Sequence, residues 1–384
     1  MREQQSIDFW LLIPAVVLAA MGIVMVYSSS MYFAMAENGS GAFFLKKQAL
    51  YMVFSLLSMI LCTRLNYRGY ARIGKYLLIF GYFLLLVLLA QKLVHWAHFH
   101  KWEVYRWFRF GFMSFQPSEI VKLILVIYLA GTIAAMGERI RDFKKGFLKV
   151  TGIVMLTFLL IFLEPSLSMA LLSLMAGFYI LFIGRARLAH IILCCVPAIL
   201  FIMYLALTKE YMMDRIMGYL NNDSSVWSQV KQSIIGIGSG GFFGVGLGNS
   251  IQKYYYLPER HTDFIFSILA EELGFVGTSL VLILTFLFVW RGFKIAKEAP
   301  DTFGFLLASG LSFMIGIQVF LNIGVAIGLL PTTGVTLPFV SYGGSSLLLS
   351  FAATGILLNI SKQGSMERRL TREYGTRIHK RFPS

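Results

Sequence analysis

Charge is scarce in this chain. Asp, Glu, Lys and Arg make up only 14% of its 384 residues, where a soluble protein carries about a quarter. With 57% apolar residues and a mean hydropathy of +0.72, the shortage excludes a soluble globular domain. Cysteine is scarcer still. Cys62, Cys194 and Cys195 all fall inside apolar runs, at no spacing that suits a metal, so neither a disulfide framework nor a zinc site is expected. The first apolar run lacks a small-residue cleavage site, so it reads as a membrane helix and not as a signal peptide. No internal repeat is visible, so the inverted-repeat signature of many secondary transporters is missing.

What is present is apolar helix. Runs near the roughly 20 residues needed to cross a bilayer recur along the chain, at 9–29, 44–62, 76–94, 118–135, 147–163, 167–184, 189–207, 264–290, 303–327 and 345–361. The expected fold is an all-α integral membrane protein of about ten transmembrane helices, with a large extracytoplasmic loop between helices 7 and 8. A β-barrel would show short alternating segments instead. Residues 1–361 form one polytopic membrane domain with outer loops 95–117, 208–263 and 331–346, and 362–384 form a basic cytoplasmic tail.

The net charge of +15 invites a nucleic-acid reading, but its placement argues against one. The basic residues sit in short loops between spans: Arg64, Arg68, Arg72 and Lys75; Arg139, Arg141, Lys144, Lys145 and Lys149; Arg185 and Arg187; Arg291, Lys294 and Lys297; then the tail. With both termini cytoplasmic, nearly all the excess positive charge is inside, as the positive-inside rule requires. Lys46 and Lys47 go mildly against it. The basic surface reads as facing anionic lipid headgroups, in a cytoplasmic (inner) membrane, and no nucleic-acid partner is expected.

The longest polar interruption is 231–274, with seven glycines from Gly236 to Gly248 and then Lys253, Glu259, Arg260, His261 and Asp263 before the chain turns apolar at Phe264. Asp263 stands where this loop enters the membrane. A carboxylate there is costly unless paired or used, and its rival role is a helix N-cap. The glycine run has no Lys-Ser/Thr ending and no preceding strand, so it is neither a P-loop nor a dinucleotide fingerprint. Its small residues suit a close approach of backbone to lipid or to a phosphate. Glu271, two helical turns past Asp263, points the same way, and it or Glu272 is expected to pair with a cation such as Lys122.

Three further stretches carry chemistry. Gln116-Pro117-Ser118-Glu119 opens a helix and puts Glu119 and Lys122 on one face. An ion pair between them explains Glu119 at least as well as substrate contact does, while Lys122 reaching an anionic headgroup is an equally open reading. Arg106 beside Trp107 is either an interface anchor or a phosphate fork. PTTGVTLPFVSYGGSS, 331–346, is irregular backbone of the kind that lines a cavity or merely packs as a re-entrant turn.

Taken together, RW at 106–107, QPSEIVK at 116–122, QSIIGIGSGGFFGVGLGNSIQK at 232–253, LPERHTDFIFSILAEELG at 257–274 and LLPTTGVTLPFVSYGGSS at 329–346 resemble the SEDS family (shape, elongation, division and sporulation). PTTG and VTLPF lean towards the division-type branch, FtsW or its sporulation relative, over the elongation-type RodA. The resemblance implies a glycosyltransferase that polymerises lipid II into peptidoglycan at the outer leaflet, releasing undecaprenyl pyrophosphate. It implies Asp263 as the essential acidic residue. Arg106, Lys122, Lys253, His261, Thr262, Ser341, Gly343, Gly344 and Ser345 are the expected substrate contacts. Glu119 and Glu271 are expected as structural ion-pair residues. It further implies a class B penicillin-binding protein as partner, beside other divisome or elongasome membrane proteins and membrane lipid. A divalent cation, Mg²⁺ or Mn²⁺, suits a pyrophosphate leaving group, Asp263 being the one carboxylate named for it, but no ligand set is legible. One departure stands out: Glu164-Pro165-Ser166-Leu167-Ser168-Met169-Ala170 carries serines where the family usually has Asp and Gly. Rival readings are a lipid II flippase and a non-catalytic division scaffold.

Overall fold

Apolar runs in lipid must satisfy their own backbone groups, and a helix does so within one segment. The computed structural model describes residues 7–99, 106–110, 113–164, 166–208, 213, 225–254, 257 and 259–381. Parts of the expected outer loops 95–117 and 208–263, Pro165 and the last tail residues 382–384 lie outside the described residues. Among the described residues the fold is all-α, apart from one small hairpin. Its elements are α1 (Phe9–Asn38), α2 (Phe43–Arg64), α3 (Arg68–Phe99), β1 (Phe108–Phe110), β2 (Met113–Phe115), α4 (Pro117–Met136), α5 (Leu148–Leu163), α6 (Leu167–Ile183) and α7 (Leu188–Thr208). They continue with α8 (Ser225–Ser239), α9 (Ile265–Lys297), α10 (Thr302–Ala326) and α11 (Gly344–Arg381). Each of the ten expected stretches lies on a helix. Eight of these helices are long and apolar enough to cross a membrane, and the apolar parts of α6 and α7 are shorter.

Burial orders the bundle. The spanning part of α11 is 89% buried and that of α10 67%, against 22% for α2 and α3. The core therefore consists of α10, α11 and α4, and the outer helices present apolar side chains to lipid. Helix α11 packs on α2, α9 on α10 and α1, and α3 on α4.

Polar contacts mark the two ends of the bundle. At one end Arg291 of α9 pairs with Asp8 before α1 at 2.7 Å, and Ser361 of α11 bonds the same carboxylate. Arg68 reaches Asp301 at 2.8 Å and Arg368 reaches Glu298 at 3.1 Å nearby. This is the face of the basic clusters. Towards the other end Ser28 of α1 donates to Glu272 of α9 at 2.7 Å. From Glu272 to Arg291 a helix rises about 29 Å at 1.5 Å per residue, close to the roughly 30 Å of a hydrocarbon core. Asp263 lies beyond Glu272, on the far side from the basic face.

Helix α9 is kinked at Gly274, which has φ 64° and ψ −160°. The glycine-rich loop explains the kink. It folds back along the first turns of α9, with Val245 N–H donating to Glu271 O (2.9 Å) and Phe275 N–H to Gly241 O (2.9 Å). A side chain at Gly240 or Gly244 would collide with the backbone of Ala270 or Glu272. The close approach expected towards lipid or phosphate is thus made to a neighbouring helix.

Candidate functional site

The turn 259–264 is built around a left-handed residue. Glu259 has φ 54°, and its carbonyl accepts N–H groups from Thr262, Asp263 and Phe264 at 3.1–3.3 Å. Its carboxylate also accepts from the Thr262 hydroxyl at 2.8 Å. Helix α9 begins at Ile265 with Phe264 at the N-cap, so Asp263 stands one residue before the capping position.

Four bonds staple this turn to the 331–346 loop. Ser341 Oγ donates to Thr262 O (2.6 Å) and Tyr342 N–H to His261 O (2.8 Å). Asn322 Nδ2 of α10 bridges Asp263 O (2.8 Å) and Val335 O (2.6 Å). The result holds Asp263 half-buried against a cavity of about 550 Å³, within the usual size of a ligand site. Gly334 has φ 68°, and a side chain there would stand 3.5 Å from Asp263 Oδ2, so glycine keeps the space before the carboxylate open.

The opposite walls come from the hairpin and from α6. Arg106 and Trp107 line the cavity just before β1, whose Phe108 pairs with Phe115 of β2. The hairpin is fixed by Ser114 N–H to Tyr51 Oη (2.9 Å) and by Gln116 N–H to Ser345 Oγ (3.0 Å). Ser166 and Ser168 line the α6 side, and the Ser168 hydroxyl bonds the Thr333 carbonyl. The serine that departs from the family pattern therefore ties the two rims together. Glu164 is buried beside this wall. Burial pushes its carboxyl up to about 8, against the opposing influence of Arg106 and Lys92.

A second polar layer lies beneath the cavity. Lys122 Nζ donates to Gln318 Oε1 (2.8 Å) and stands 3.9 Å from Glu119. Gln318 Nε2 donates to Thr336 O (3.1 Å), and the Thr336 hydroxyl bonds Ser346 (2.9 Å). Glu119, Thr336 and Ser346 line the cavity, whereas Lys122 is buried behind them.

The expected site residues divide accordingly. Asp263, Arg106, Thr262, Gly343, Gly344 and Glu119 line the cavity. His261, Ser341 and Ser345 support its walls. His261 packs among Phe33, Phe44 and Tyr342, and burial lowers its imidazole to about 4. Lys253 is elsewhere: it is fully buried, pairs with Glu272 at 3.1 Å and bonds the Gly248 carbonyl. The expected pairing of Glu271 or Glu272 with Lys122 is not what forms, because the folded-back loop brings Lys253 to Glu272 first. Glu271 receives the Ser250 hydroxyl and the N–H groups of Ile251 (2.9 Å) and Gln252 (3.3 Å), and faces that loop rather than the cavity. Gln318 and Asn322 belong to none of the motifs above, and their one signal is the spacing of two amides four residues apart on an apolar helix, which makes a polar face.

A divalent cation held by the protein alone would need clustered oxygen donors. Among the described residues no group of three or more His, Cys, Asp or Glu gathers to hold one. Mg²⁺ in phosphate sites is usually held by one or two carboxylates together with substrate phosphates, and Asp263 is the carboxylate here that would serve beside a pyrophosphate.

Comparison with known proteins agrees with this architecture. Residues 9–366 match the model of the FtsW/RodA/SpoVE family, described as "Cell cycle protein". The chain belongs to that family. Its relatives include "Stage V sporulation protein E" of Bacillus subtilis, 38% identical over 94% of this chain and 98% of that protein. "Probable peptidoglycan glycosyltransferase FtsW" of Trichlorobacter lovleyi is 39% identical over 92% and 93%. Among solved structures, a chain from "Structural coordination of polymerization and crosslinking by a peptidoglycan synthase complex" aligns with a TM-score of 0.77 at 27% identity, covering 94% and 98%. Thermus thermophilus rod shape determining protein RodA aligns at 0.68 and 28% identity, over 93% and 97%. This SEDS protein is thus a multi-pass membrane protein whose likeness runs over nearly its whole length.

Proposed function

We propose that this chain is a peptidoglycan glycosyltransferase that joins lipid II units at the outer leaflet of the cytoplasmic membrane, both termini being cytoplasmic. The observation that carries the reading is Asp263, half-buried in a polar cavity with Arg106, at the end of the bundle away from the basic clusters. Asp263 takes the proton from the 4-hydroxyl of the acceptor's terminal N-acetylglucosamine. That oxygen bonds to the anomeric carbon of the donor's N-acetylmuramic acid, and the bond from that carbon to the diphosphate oxygen breaks. Undecaprenyl pyrophosphate leaves with the electron pair. The Arg106 guanidinium matches its oxygens in geometry and charge, and a positive group aimed at the leaving charge is the larger contribution. Lys122 acts from behind, orienting Gln318, Thr336 and Ser346 at the wall.

A class B penicillin-binding protein is the proposed partner, cross-linking the strand as it is made. The peptidoglycan synthase complex among the structural neighbours supports this pairing. The test is polymerisation of lipid II by the pure protein. D263N is expected to lose about 10²–10⁴-fold in rate, the usual worth of a general base, with an unchanged melting temperature. Wild-type rates in D263N would falsify the assignment.

A further inference from the structure

Helix α6 ends in an unusual way. A helix that closes through a left-handed residue normally places glycine there. Glycine is present at 184, yet the left-handed residue is the next one, Arg185, with φ 65°. Gly184 is committed to packing: a Cβ on it would come within 2.6 Å of Ile133 Cγ2 and 2.8 Å of Ile180 O. The closure itself is regular, with Arg185 N–H donating to Phe182 O (3.2 Å) and Ala186 N–H to Leu181 O (3.1 Å). An L-residue with a long side chain is disfavoured in that conformation, and strain of this kind gathers at sites that use it.

Arg185 lines a second cavity, of about 570 Å³, at the basic end of the bundle. The cavity lies between the ends of α4 and α6 and the α9–α10 connection, with Ile133, Ile183, Phe305 and Leu306 among its apolar walls. Four charged residues line it: Arg185, Lys297, Glu138 and Asp301. Both acids are already taken. Glu138 pairs with Arg141 at 3.2 Å, and Asp301 is held by Arg68 (2.8 Å), the Tyr67 hydroxyl (2.7 Å) and Gly304 N–H (2.7 Å). Among the described residues Arg185 and Lys297 make no ion pair or side-chain hydrogen bond. Two available cations thus stand over an apolar floor at the level where headgroups begin.

We infer that this cavity binds the phosphate of an anionic phospholipid, with Arg185 and Lys297 on its oxygens and the apolar walls against the adjoining glycerol and first acyl carbons. A guanidinium fork suits phosphate oxygens, and the volume is that of a small-molecule site. The site is separate from the Asp263 cavity and does not depend on the proposed chemistry there.

The experiment is thermal unfolding of the full chain in nanodiscs of phosphatidylcholine, with and without added phosphatidylglycerol. Wild type gains melting temperature on adding the anionic lipid. R185G relieves the left-handed strain, so in neutral lipid it melts at or above wild type while losing most of that gain. Its apparent affinity for the anionic lipid falls roughly tenfold, the worth of one lost charged hydrogen bond. R185N, which tolerates the same backbone, and K297Q behave alike. R187A, a neighbouring arginine outside the cavity, keeps the wild-type gain. The inference is overturned if R185G and R185N keep the full gain, or if R187A loses as much, which would mean a diffuse basic surface. It is also overturned if soluble glycerol 1-phosphate in neutral discs reproduces the gain, since the occupant would then be a free phosphate ester.

Discussion

Two clusters of ionisable groups stand within three helical turns of each other at the start of α9, and they end up in opposite states. Around Glu272 every strong group is closed off: Lys253 and Ser28 hold its carboxylate, while Ser250 and two backbone N–H groups hold Glu271. Around Asp263 the stapling is made by backbone carbonyls, so the carboxylate of Asp263 faces a cavity. The first cluster holds the loop to the helix. The second presents the Asp263 carboxylate to the cavity that the staples shape.

Breaking the closed cluster should have the largest effect on stability. E272A leaves Lys253 buried without its counter-charge, a loss of about 3–5 kcal/mol, read as a large drop in melting temperature. The double variant K253M/E272M recovers most of it, since a buried pair is often replaceable by apolar side chains. Rate per folded molecule stays near wild type in the double variant. A silent but fully stable K253M/E272M would dissolve the contrast with D263N.

His261 sharpens the comparison by pH. Burial holds its imidazole at about 4 in the folded chain, against about 6.5 unfolded. As pH falls from 6.5 towards 4 the unfolded chain takes a proton that the folded one does not, so stability falls over that window. The loss is on the order of 3 kcal/mol at its greatest. Melting curves of H261Q against pH should lack that component, and an unchanged profile would show that the imidazole is not shielded. Glu164 runs the other way. Its carboxyl titrates at about 8, so the folded chain keeps a proton that the unfolded one releases, and stability falls as pH rises from about 4.5 to 8.

Two left-handed glycines give a finer test. G334A and G248A each impose a Cβ on a positive φ, 68° and 84°, at about 1–2 kcal/mol. Only G334A sets a methyl in contact with Asp263, at 3.5 Å, taking up space before the carboxylate, and should lower activity; G248A meets nothing within 4 Å and should not. The smallest effect expected is at Glu259. E259G removes the left-handed strain, worth about 1 kcal/mol, but frees Thr262 from its carboxylate. E259Q keeps that bond. Activity retained in E259Q and reduced in E259G assigns the side chain a positioning role, whereas equal activity in both assigns it none.

Much of this is legible in the sequence. Apolar runs mark helices because lipid leaves the backbone no other partner, and Pro117 opens α4 where its missing N–H costs nothing. Asp263 could be singled out because a carboxylate at that boundary demands an explanation. What could not be read was which charges meet. Lys253 and Glu272 are nineteen residues apart, and only the fold-back of the glycine run joins them. Helix α8 falls within the expected outer loop 208–263 because Gly236 and Gly238 weaken its signal, although Val226, Val230, Ile234 and Ile237 keep a helical spacing. The second cavity depends on a residue whose backbone angle no pattern announces.

Helix α11 starts at Gly344, in the wall of the Asp263 cavity, and continues to Arg381. At 1.5 Å per residue that is about 57 Å of uninterrupted rod, longer than the bilayer is thick. Its far end projects past the basic face, where Arg368 grips Glu298. A push or twist on that tail is therefore transmitted to the Asp263 cavity, because one helix joins the two.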